Sequence, residues 1–125
     1  MRLLAKRKSI RLEKETKKIK SLENKTRLTK TLPQTQGFHF YRDVGRPTGK
    51  TAVSLGDFVD KLKSVDIRSI NFHFKRKDFE KWIKDTINDV ELSAKIGKIR
   101  RDMHGEKLRK EIIQLVNTRL DDLKI

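Results

Sequence analysis

Cysteine is absent from the sequence. Its absence excludes disulfides, thiolate catalysis and cysteine zinc sites, and it is typical of proteins from a reducing compartment. A long hydrophobic run is also lacking, since no stretch approaches the roughly 18 apolar residues that a membrane-spanning helix requires. Residues 1–8 contain an apolar patch that is too short for a secretory signal. We therefore expect a soluble cytoplasmic protein without a membrane partner.

Aromatic residues are scarce and unevenly distributed. They make up 6% of the chain, and the Phe residues, the single Tyr and the single Trp lie within residues 38–87. Because aromatic side chains bury large apolar areas, we expect the hydrophobic core there. The length of 125 residues fits one compact domain with an extension.

Acidic residues are too few to balance the basic ones. The chain has 32 Lys and Arg against 17 Asp and Glu, which gives a net charge of +15. Residues 1–33 contribute +9 of this surplus and residues 34–125 contribute +6. Such a balance recruits polyanions, nucleic acid first and acidic membrane surfaces second. The sequence therefore predicts a basic N-terminal arm over residues 1–33, followed by a compact domain over residues 34–125.

The arm has apolar residues at irregular spacing, so it does not specify a stable helical face. Opposite charges four residues apart, such as Glu13 and Lys17, support a helix only weakly. We expect an extended or helical arm that becomes ordered when it binds a partner. The alternative is a solvated, disordered tail.

Alternating residues predict a short β-hairpin at the start of the compact domain. Phe38 and Phe40 alternate with more polar residues over residues 38–44, as in a strand with one buried face. Residues 45–49 contain Gly and Pro and predict a turn. Residues 51–53 then predict a short second strand.

The first two helices are predicted from capping residues and apolar spacing. Ser54 is a suitable cap for a helix whose apolar residues share one face: Leu55, Phe58, Val59, Leu62 and Val65. Residues 67–74 alternate like a strand, but they also fit a helix capped by Asp66. We predict a helix for this segment.

Three further helices are predicted. Asp78 and Asp89 are suitable caps for two short helices, and an apolar stripe predicts a last helix over residues 105–124. The predicted fold is therefore a small, mainly α domain with a short N-terminal β-hairpin, preceded by the basic arm.

The sequence has no motif that specifies catalysis. Residues 45–51 come close to a phosphate-binding loop, but only three residues separate the two glycines where four are needed. His39, His73 and His104 lack the spacing of metal ligands, so packed or hydrogen-bonded imidazoles are expected. We therefore expect no catalytic residue, no metal, no cofactor and no enzyme activity.

Several stretches of the compact domain resemble an uncharacterised domain family of archaea and bacteria, known only as a domain of unknown function. The stretches that carry the resemblance are Phe38-His39-Phe40-Tyr41-Arg42-Asp43-Val44-Gly45, Thr48-Gly49, Ser54-Leu55 with Phe58, Lys61-Leu62-Lys63 with Val65-Asp66, Ser69-Ile70 with Phe72-His73-Phe74, and Asp78-Phe79 with Trp82-Ile83. They cover residues 36–99 and leave the arm and the last helix outside. The resemblance implies a helix over residues 67–74 and brings no activity, although some relatives are encoded near carbohydrate enzymes.

The basic residues predict RNA binding, most concretely by a small ribosomal or ribosome-associated protein. An arm rich in Lys and Arg can lie between rRNA helices, where counterion release drives binding and few bases are read. The expected partners are rRNA and neighbouring ribosomal proteins, with no small-molecule substrate. The arm residues expected to make most contacts are Arg2, Lys6, Arg7, Lys8, Arg11, Lys14, Lys17, Lys18, Lys20, Lys25, Arg27 and Lys30. The secondary set in the domain is Arg42, Arg46, Lys50, Lys75, Arg76 and Lys77.

Three alternatives stay open. Binding to DNA or chromatin is the nearest, because charge alone does not distinguish DNA from RNA. An adaptor for a protein partner is the second. The third is an accessory or catalytic role in carbohydrate metabolism that uses His39, Tyr41, Asp43 and His73.

Overall fold

The computed structural model describes residues 30–123. In this part of the chain a two-stranded antiparallel hairpin is followed by helices. The elements are β1 (Phe38–Asp43), β2 (Arg46–Ala52), α1 (Leu55–Ser64), α2 (Ile67–Lys75), α3 (Asp78–Trp82), α4 (Val90–Gly97) and α5 (Gly105–Asp122), with a π-helical turn (Ile83–Ile87) directly after α3. The predicted fold class, mainly α with an N-terminal hairpin, is confirmed. The predicted arm, residues 1–33, lies outside the described residues except for residues 30–33, which form neither helix nor strand and in which the N–H of Leu32 donates to the carbonyl oxygen of Val53 at 2.7 Å.

The hairpin turn is shorter than the sequence predicts. β2 begins at Arg46, so the connection is Val44 and Gly45 rather than the predicted residues 45–49. Gly45 has a φ of 75°, a left-handed conformation that glycine adopts at no steric cost. Pro47 is accommodated inside β2 because the two-stranded sheet shows register shifts there and leaves an edge without ladder hydrogen bonds.

The aromatic residues form the centre of the core. Phe38 and Phe40 point inward from β1 with their rings 4.8 Å apart, and the Phe38 ring also lies 5.1 Å from Phe79 and 5.7 Å from Trp82. The indole N–H of Trp82 donates a hydrogen bond to the carbonyl oxygen of Gln36 at 3.0 Å. The segment before β1 is therefore tied to the end of α3.

The first helix begins as its sequence predicts. Ser54 Oγ accepts a hydrogen bond from the N–H of Asp57 at 3.0 Å, and the Asp57 carboxylate accepts one from the N–H of Val53 at 3.0 Å. These reciprocal bonds satisfy backbone donors that a helix start leaves without partners. The predicted apolar face is buried: Leu55, Phe58, Val59, Leu62 and Val65.

The ambiguous segment over residues 67–74 is helical, as predicted, and belongs to α2. Asp66 Oδ1 accepts a hydrogen bond from the N–H of Arg68 at 2.9 Å, which caps the helix. The predicted cap of α4 is also confirmed, because Asp89 Oδ1 accepts from the N–H of Leu92 at 3.1 Å.

The predicted cap by Asp78 is wrong. The N-cap position of α3 is Lys77, which has a φ of 63° and makes no side-chain capping bond. Asp78 is the first residue of the helix, and its carboxylate turns away from the helix start toward His73 and Arg76. The charged guanidinium of Arg76 and the Nδ1–H of His73 compete for this carboxylate with the backbone N–H groups of a five-residue helix.

The last helix closes the core against α1 and α2. Leu108, Ile112 and Val116 are buried on its inner face, in agreement with the predicted stripe. Arg109 donates to the carbonyl oxygen of Leu62 at 2.6 Å, and the N–H of Gly105 donates to Asn71 Oδ1 at 2.8 Å. Over residues 30–123, the helices are too short or too polar to cross a membrane.

Candidate functional site

A cleft of about 370 Å³ lies where the hairpin meets α2 and α3. Its walls combine aromatic side chains with several charged ones. The residues that line it are Gly37, Phe38, His39, Tyr41, Asp43, Val44, Gly45, Phe72, His73, Arg76, Asp78 and Trp82. We call this site the cleft. A mainly aromatic pocket with a few polar groups is a typical ligand site.

His73 joins the two sides of the cleft and is itself buried. Its Nε2 accepts a hydrogen bond from the backbone N–H of Tyr41 at 2.8 Å. Because a backbone N–H is only a donor, Nε2 carries no proton, and the proton of the neutral ring lies on Nδ1. Nδ1 donates to Asp78 Oδ2 at 2.8 Å. Both ring nitrogens are therefore occupied, and His73 can act as a base only if β1 is released from it.

Burial lowers the pKa of His73 below its ordinary value of 6.5, although the hydrogen bond and charge of Asp78 act in the opposite direction. Protonation at Nε2 would also be unfavourable, because the new N–H would face the N–H of Tyr41, and two donors do not form a hydrogen bond with each other. The folded protein thus holds His73 neutral at pH values where an exposed histidine is already charged.

This lowered pKa predicts a pH dependence of stability. The unfolded chain takes up the His73 proton near pH 6.5 and the folded chain only at lower pH, so stability is complete above about pH 6.5 and falls with acidification below it, by at most about 1.4 kcal/mol per pH unit. Urea unfolding at several pH values between about 7.5 and 5 measures this slope.

His39 offers the matched control for stability, because it is exposed on β1 and bonds to Thr51 Oγ1 at 2.9 Å. The His73→Gln variant should be less stable than the His39→Gln variant, and its slope should be flatter than that of the parent protein. Equal slopes in the parent and in His73→Gln would show that His73 does not titrate across this range. Asp57 also has a lowered pKa, since its bonds from Lys61 and Val53 outweigh burial, but its effect appears only on acidification below about pH 4.

Arg76 lies at the rim of the cleft in a fixed position. Its Nε is 3.2 Å from Asp78 Oδ2, and its guanidinium lies 5.0 Å from the centre of the Phe72 ring. These contacts hold the planar guanidinium against an aromatic face while about half of the side chain stays exposed. Asp78 Oδ2 thereby has two donors, the positively charged guanidinium of Arg76 and the Nδ1–H of neutral His73.

The four residues of the carbohydrate hypothesis all line the cleft: His39, Tyr41, Asp43 and His73. His39, Tyr41 and Asp43 lie on one strand, whereas His73 follows them by 30 to 34 positions, and the fold brings it to them through the bond between β1 and α2. His73 is committed to that bond, so a catalytic role for it is disfavoured. Among residues 30–123, no group of three or more His, Asp or Glu residues is arranged to hold a metal ion.

The predicted RNA-contacting residues of the arm, from Arg2 to Arg27, lie outside the described residues, and Lys30 is exposed. Within the domain, the residues of the secondary set differ in whether they have an acidic partner. Arg42 and Arg46 have acidic partners at 3.5 Å, Asp66 and Asp43 respectively. Those two arginines are therefore partly neutralised.

Lys50 is also engaged within the domain. Its Nζ donates to the carbonyl oxygen of Ser64 at 3.0 Å and to Ser64 Oγ at 2.8 Å, at the end of α1. Lys75 and Lys77 are exposed and have no ion-pair partner among residues 30–123. The structure thus leaves these two lysines as the members of the predicted domain set that have no acidic partner, since Arg76 is paired with Asp78.

A row of lysines lies beside α3, and of these only Lys77 belongs to the predicted set. Lys77, Lys81 and Lys84 line one groove of about 420 Å³, and we call them the lysine ridge. Lys77 is the N-cap residue of α3, Lys81 lies within the helix, and Lys84 lies in the π-helical turn that follows. Glu80 and Asp85 line the same groove, and Glu80 is paired with Arg101. The opposite wall belongs to α4 and includes Val90 and Ala94, both exposed. The spacing of four and three residues between the three lysines is visible in the sequence and could have identified the ridge.

Arginines and lysines differ in how the folded part of the chain uses them. Every arginine of residues 30–123 except Arg68 forms an ion pair with Asp or Glu. Only Lys61 and Lys95 do so among the lysines. Lys50 has no ion pair either, but it is bonded to Ser64. The other described lysines without an ion-pair partner are Lys30, Lys63, Lys75, Lys77, Lys81, Lys84, Lys98, Lys107 and Lys110. The surplus positive charge of the domain is therefore carried by exposed lysines.

The sequence profile of a family of unknown function, DUF5752, matches residues 8–117. The match agrees with the resemblance to an uncharacterised domain, but it is longer than residues 36–99. It includes most of the arm and most of α5, so the prediction that both lie outside the resemblance is wrong. No curated protein and no solved structure matches the chain.

Proposed function

The chain belongs to the DUF5752 family, whose function is unknown, and we propose that it binds RNA as a small ribosomal or ribosome-associated protein. The observation that most supports this proposal is the set of exposed lysines without acidic partners in the folded domain. Lysines that neutralise no internal charge are available to phosphates, and each phosphate contact releases counterions from the nucleic acid.

The arm would supply the larger part of the binding energy. Residues 1–33 carry +9 of the total charge of +15, so they attract RNA more strongly than the domain does. The lysine ridge adds a second contact, because its three lysines are exposed, have no ion-pair partner among residues 30–123 and line one groove. This arrangement favours contact with the backbone rather than reading of sequence.

A ribosomal setting suits the arm, because rRNA presents phosphates on several sides of a narrow space and can hold an extended basic segment. Such a protein would work in the cytoplasm of an archaeal or bacterial cell, the source that the resemblance implies. Its partners would be rRNA and neighbouring ribosomal proteins.

Sedimentation of cell lysate tests the proposal. The full-length chain should migrate with a ribosomal subunit at low salt and move to the free fraction at high salt, because salt weakens phosphate contacts. A chain without residues 1–33 should be mostly free at both salt concentrations. Free full-length protein at low salt would exclude the ribosomal proposal.

DNA is the first competing partner, and a competition experiment separates it from RNA. Ribosomal RNA should displace a bound RNA probe at lower concentration than duplex DNA of equal length does. The reverse order would favour a DNA or chromatin protein. The domain surface described above does not itself discriminate the two backbones, so this measurement decides between them.

A role in carbohydrate metabolism is the second candidate function, supported by the meeting of His39, Tyr41, Asp43 and His73 in the cleft. An aromatic ring beside carboxylates can bind a sugar ring as well as a base. If a neutral oligosaccharide binds in the cleft and RNA does not bind the chain, the carbohydrate function replaces the RNA function.

A further inference from the structure

We propose that the cleft binds one unpaired nucleobase of an RNA strand, stacked on the ring of Tyr41. This inference rests on the proposed RNA binding and deepens it. Lysines that contact phosphates accept paired and unpaired strands alike, whereas a cleft that takes in a base admits only a base free of a duplex. The ligand is therefore a nucleotide unit with a planar base and a phosphate at its side.

Tyr41 offers an aromatic surface that the core does not use. Tyr41 is 36% exposed, and Val44 at the neighbouring turn is 77% exposed. The backbone of Tyr41 is nevertheless fixed, because its N–H donates to buried His73 at 2.8 Å. The two rings also meet edge to face, with their centres 6.4 Å apart. A ring that is already held in place loses little conformational freedom when a base stacks on it.

The polar groups of the cleft suit the edge of a base. Asp43 and Asp78 provide carboxylate oxygens, which accept hydrogen bonds from amino and imino groups. Arg76 provides N–H donors in a plane, and one guanidinium carries more donors than Asp78 alone can accept. Donors and acceptors together in one aromatic cleft match a base edge, which also presents both.

The charges around the cleft allow a phosphate at its rim. Asp78 is neutralised by Arg76 at 3.2 Å, and Asp43 lies 3.5 Å from Arg46. About half of the Arg76 side chain is exposed at this rim, and its guanidinium carries more N–H donors than the contact with Asp78 uses. A phosphate next to the base therefore meets the guanidinium rather than an unpaired carboxylate.

The exposed guanidinium favours a nucleotide over a neutral sugar. A sugar ring would use Tyr41 and the carboxylates, but it would gain nothing from the positive charge of Arg76 or from the net charge of +15. A nucleotide uses the ring, the polar edge and the guanidinium together.

Single nucleotides provide the first test. Trp82 lines the cleft and is the only Trp of the chain, so its indole N–H gives one NMR signal that reports on the cleft. In the full-length protein, AMP, GMP, CMP and UMP should shift this signal saturably, because every base has a face that can stack. Ribose 5-phosphate and maltotriose should leave it unchanged. An equal response to ribose 5-phosphate, a response to maltotriose alone, or no response to any nucleotide overturns the proposal.

Variants in RNA binding provide the second test. The Tyr41→Ala variant should bind an unstructured RNA of about 12 nucleotides about 5- to 150-fold more weakly than the parent chain, and it should bind an RNA duplex equally well. The Tyr41→Phe variant is the matched control, since it keeps the ring and should keep the affinity. Fluorescence anisotropy with a labelled strand measures both affinities. Circular dichroism of each variant confirms that the fold is retained.

The two proposals fail in different ways. If Tyr41→Ala binds the single strand as tightly as the parent while removal of Lys81 and Lys84 weakens binding, the base site is excluded and RNA binding stands. If Tyr41→Ala weakens single strand and duplex equally, the ring acts through the fold and not through a base, and the base site is again excluded. If the parent chain binds no RNA at low salt, both proposals are excluded.

Discussion

An increase in salt from about 50 to about 200 mM should weaken the binding of the full-length chain to RNA by about 10³- to 10⁵-fold. This range applies to a protein that makes about six to ten phosphate contacts, and the basic residues of the arm together with the lysine ridge can supply that number. Anisotropy titrations at four or more salt concentrations give the slope of log affinity against log salt. A slope near zero would show that phosphate contacts do not drive binding.

The contribution of the lysine ridge to this slope can be separated from the effect of the net positive charge of the chain. The double variant Lys81→Gln with Lys84→Gln removes two ridge lysines, and it should reduce the slope by about two if each contacts one phosphate. The matched control, Lys107→Gln with Lys110→Gln, removes the same charge from exposed positions on α5. It should change the slope little. Equal losses in the two variants would show that the ridge is not a specific contact.

The helices were predictable from sequence because their signals are local. Ser54 and Asp89 have the side chains that accept hydrogen bonds from a helix start, and the structure shows both bonds. The segment over residues 67–74 fits two periodicities, and the cap at Asp66 decides for the helix. A cap of this kind depends on residues within three positions of it, so the sequence alone contains the information.

The predictions that were wrong concern residues whose partners are distant in sequence. Asp78 has the side chain of a cap, but His73 and Arg76 compete for its carboxylate, and His73 is held in place by Tyr41 of β1. That geometry exists only after the hairpin has packed on α2. The turn was predicted from Gly and Pro, yet Pro47 and Gly49 lie inside an irregular strand that tolerates them.

The candidate site was predictable in part. His39, Tyr41, Asp43 and His73 were identified by residue type, and the fold places them in one cleft. Their arrangement was not predictable, because it depends on a bond between residues 41 and 73. Lys81 and Lys84 of the lysine ridge were missed for a different reason. The basic residues of the predicted domain set were identified mainly as clusters adjacent in sequence, whereas neighbours on a helix are three or four positions apart.

The largest loss of stability is expected when Arg119 is replaced by Met. Arg119 Nε lies 2.8 Å from Asp89 Oδ2, and the Asp89 side chain is only 1% exposed. Burial would lower the pKa of Arg119, but the hydrogen bond and charge of Asp89 raise it overall. Met retains most of the volume and removes the charge, which leaves a buried carboxylate without its cation. The free energy of unfolding should fall by about 3–5 kcal/mol, measured by urea unfolding with Trp82 fluorescence.

The exposed pair of Arg100 and Asp102, also 2.8 Å apart, provides the matched control. Its side chains are 80% and 69% exposed, so Arg100→Met should cost at most about 1 kcal/mol.

A second substitution separates the loss of the ion pair from the cost of leaving a buried charge unpaired. In the Arg119→Met background, Asp89→Asn removes the unpaired charge, while the amide oxygen can still cap α4 through the N–H of Leu92. The double variant should therefore be more stable than Arg119→Met alone. If it is less stable, the loss comes from packing around Arg119 and not from the buried carboxylate.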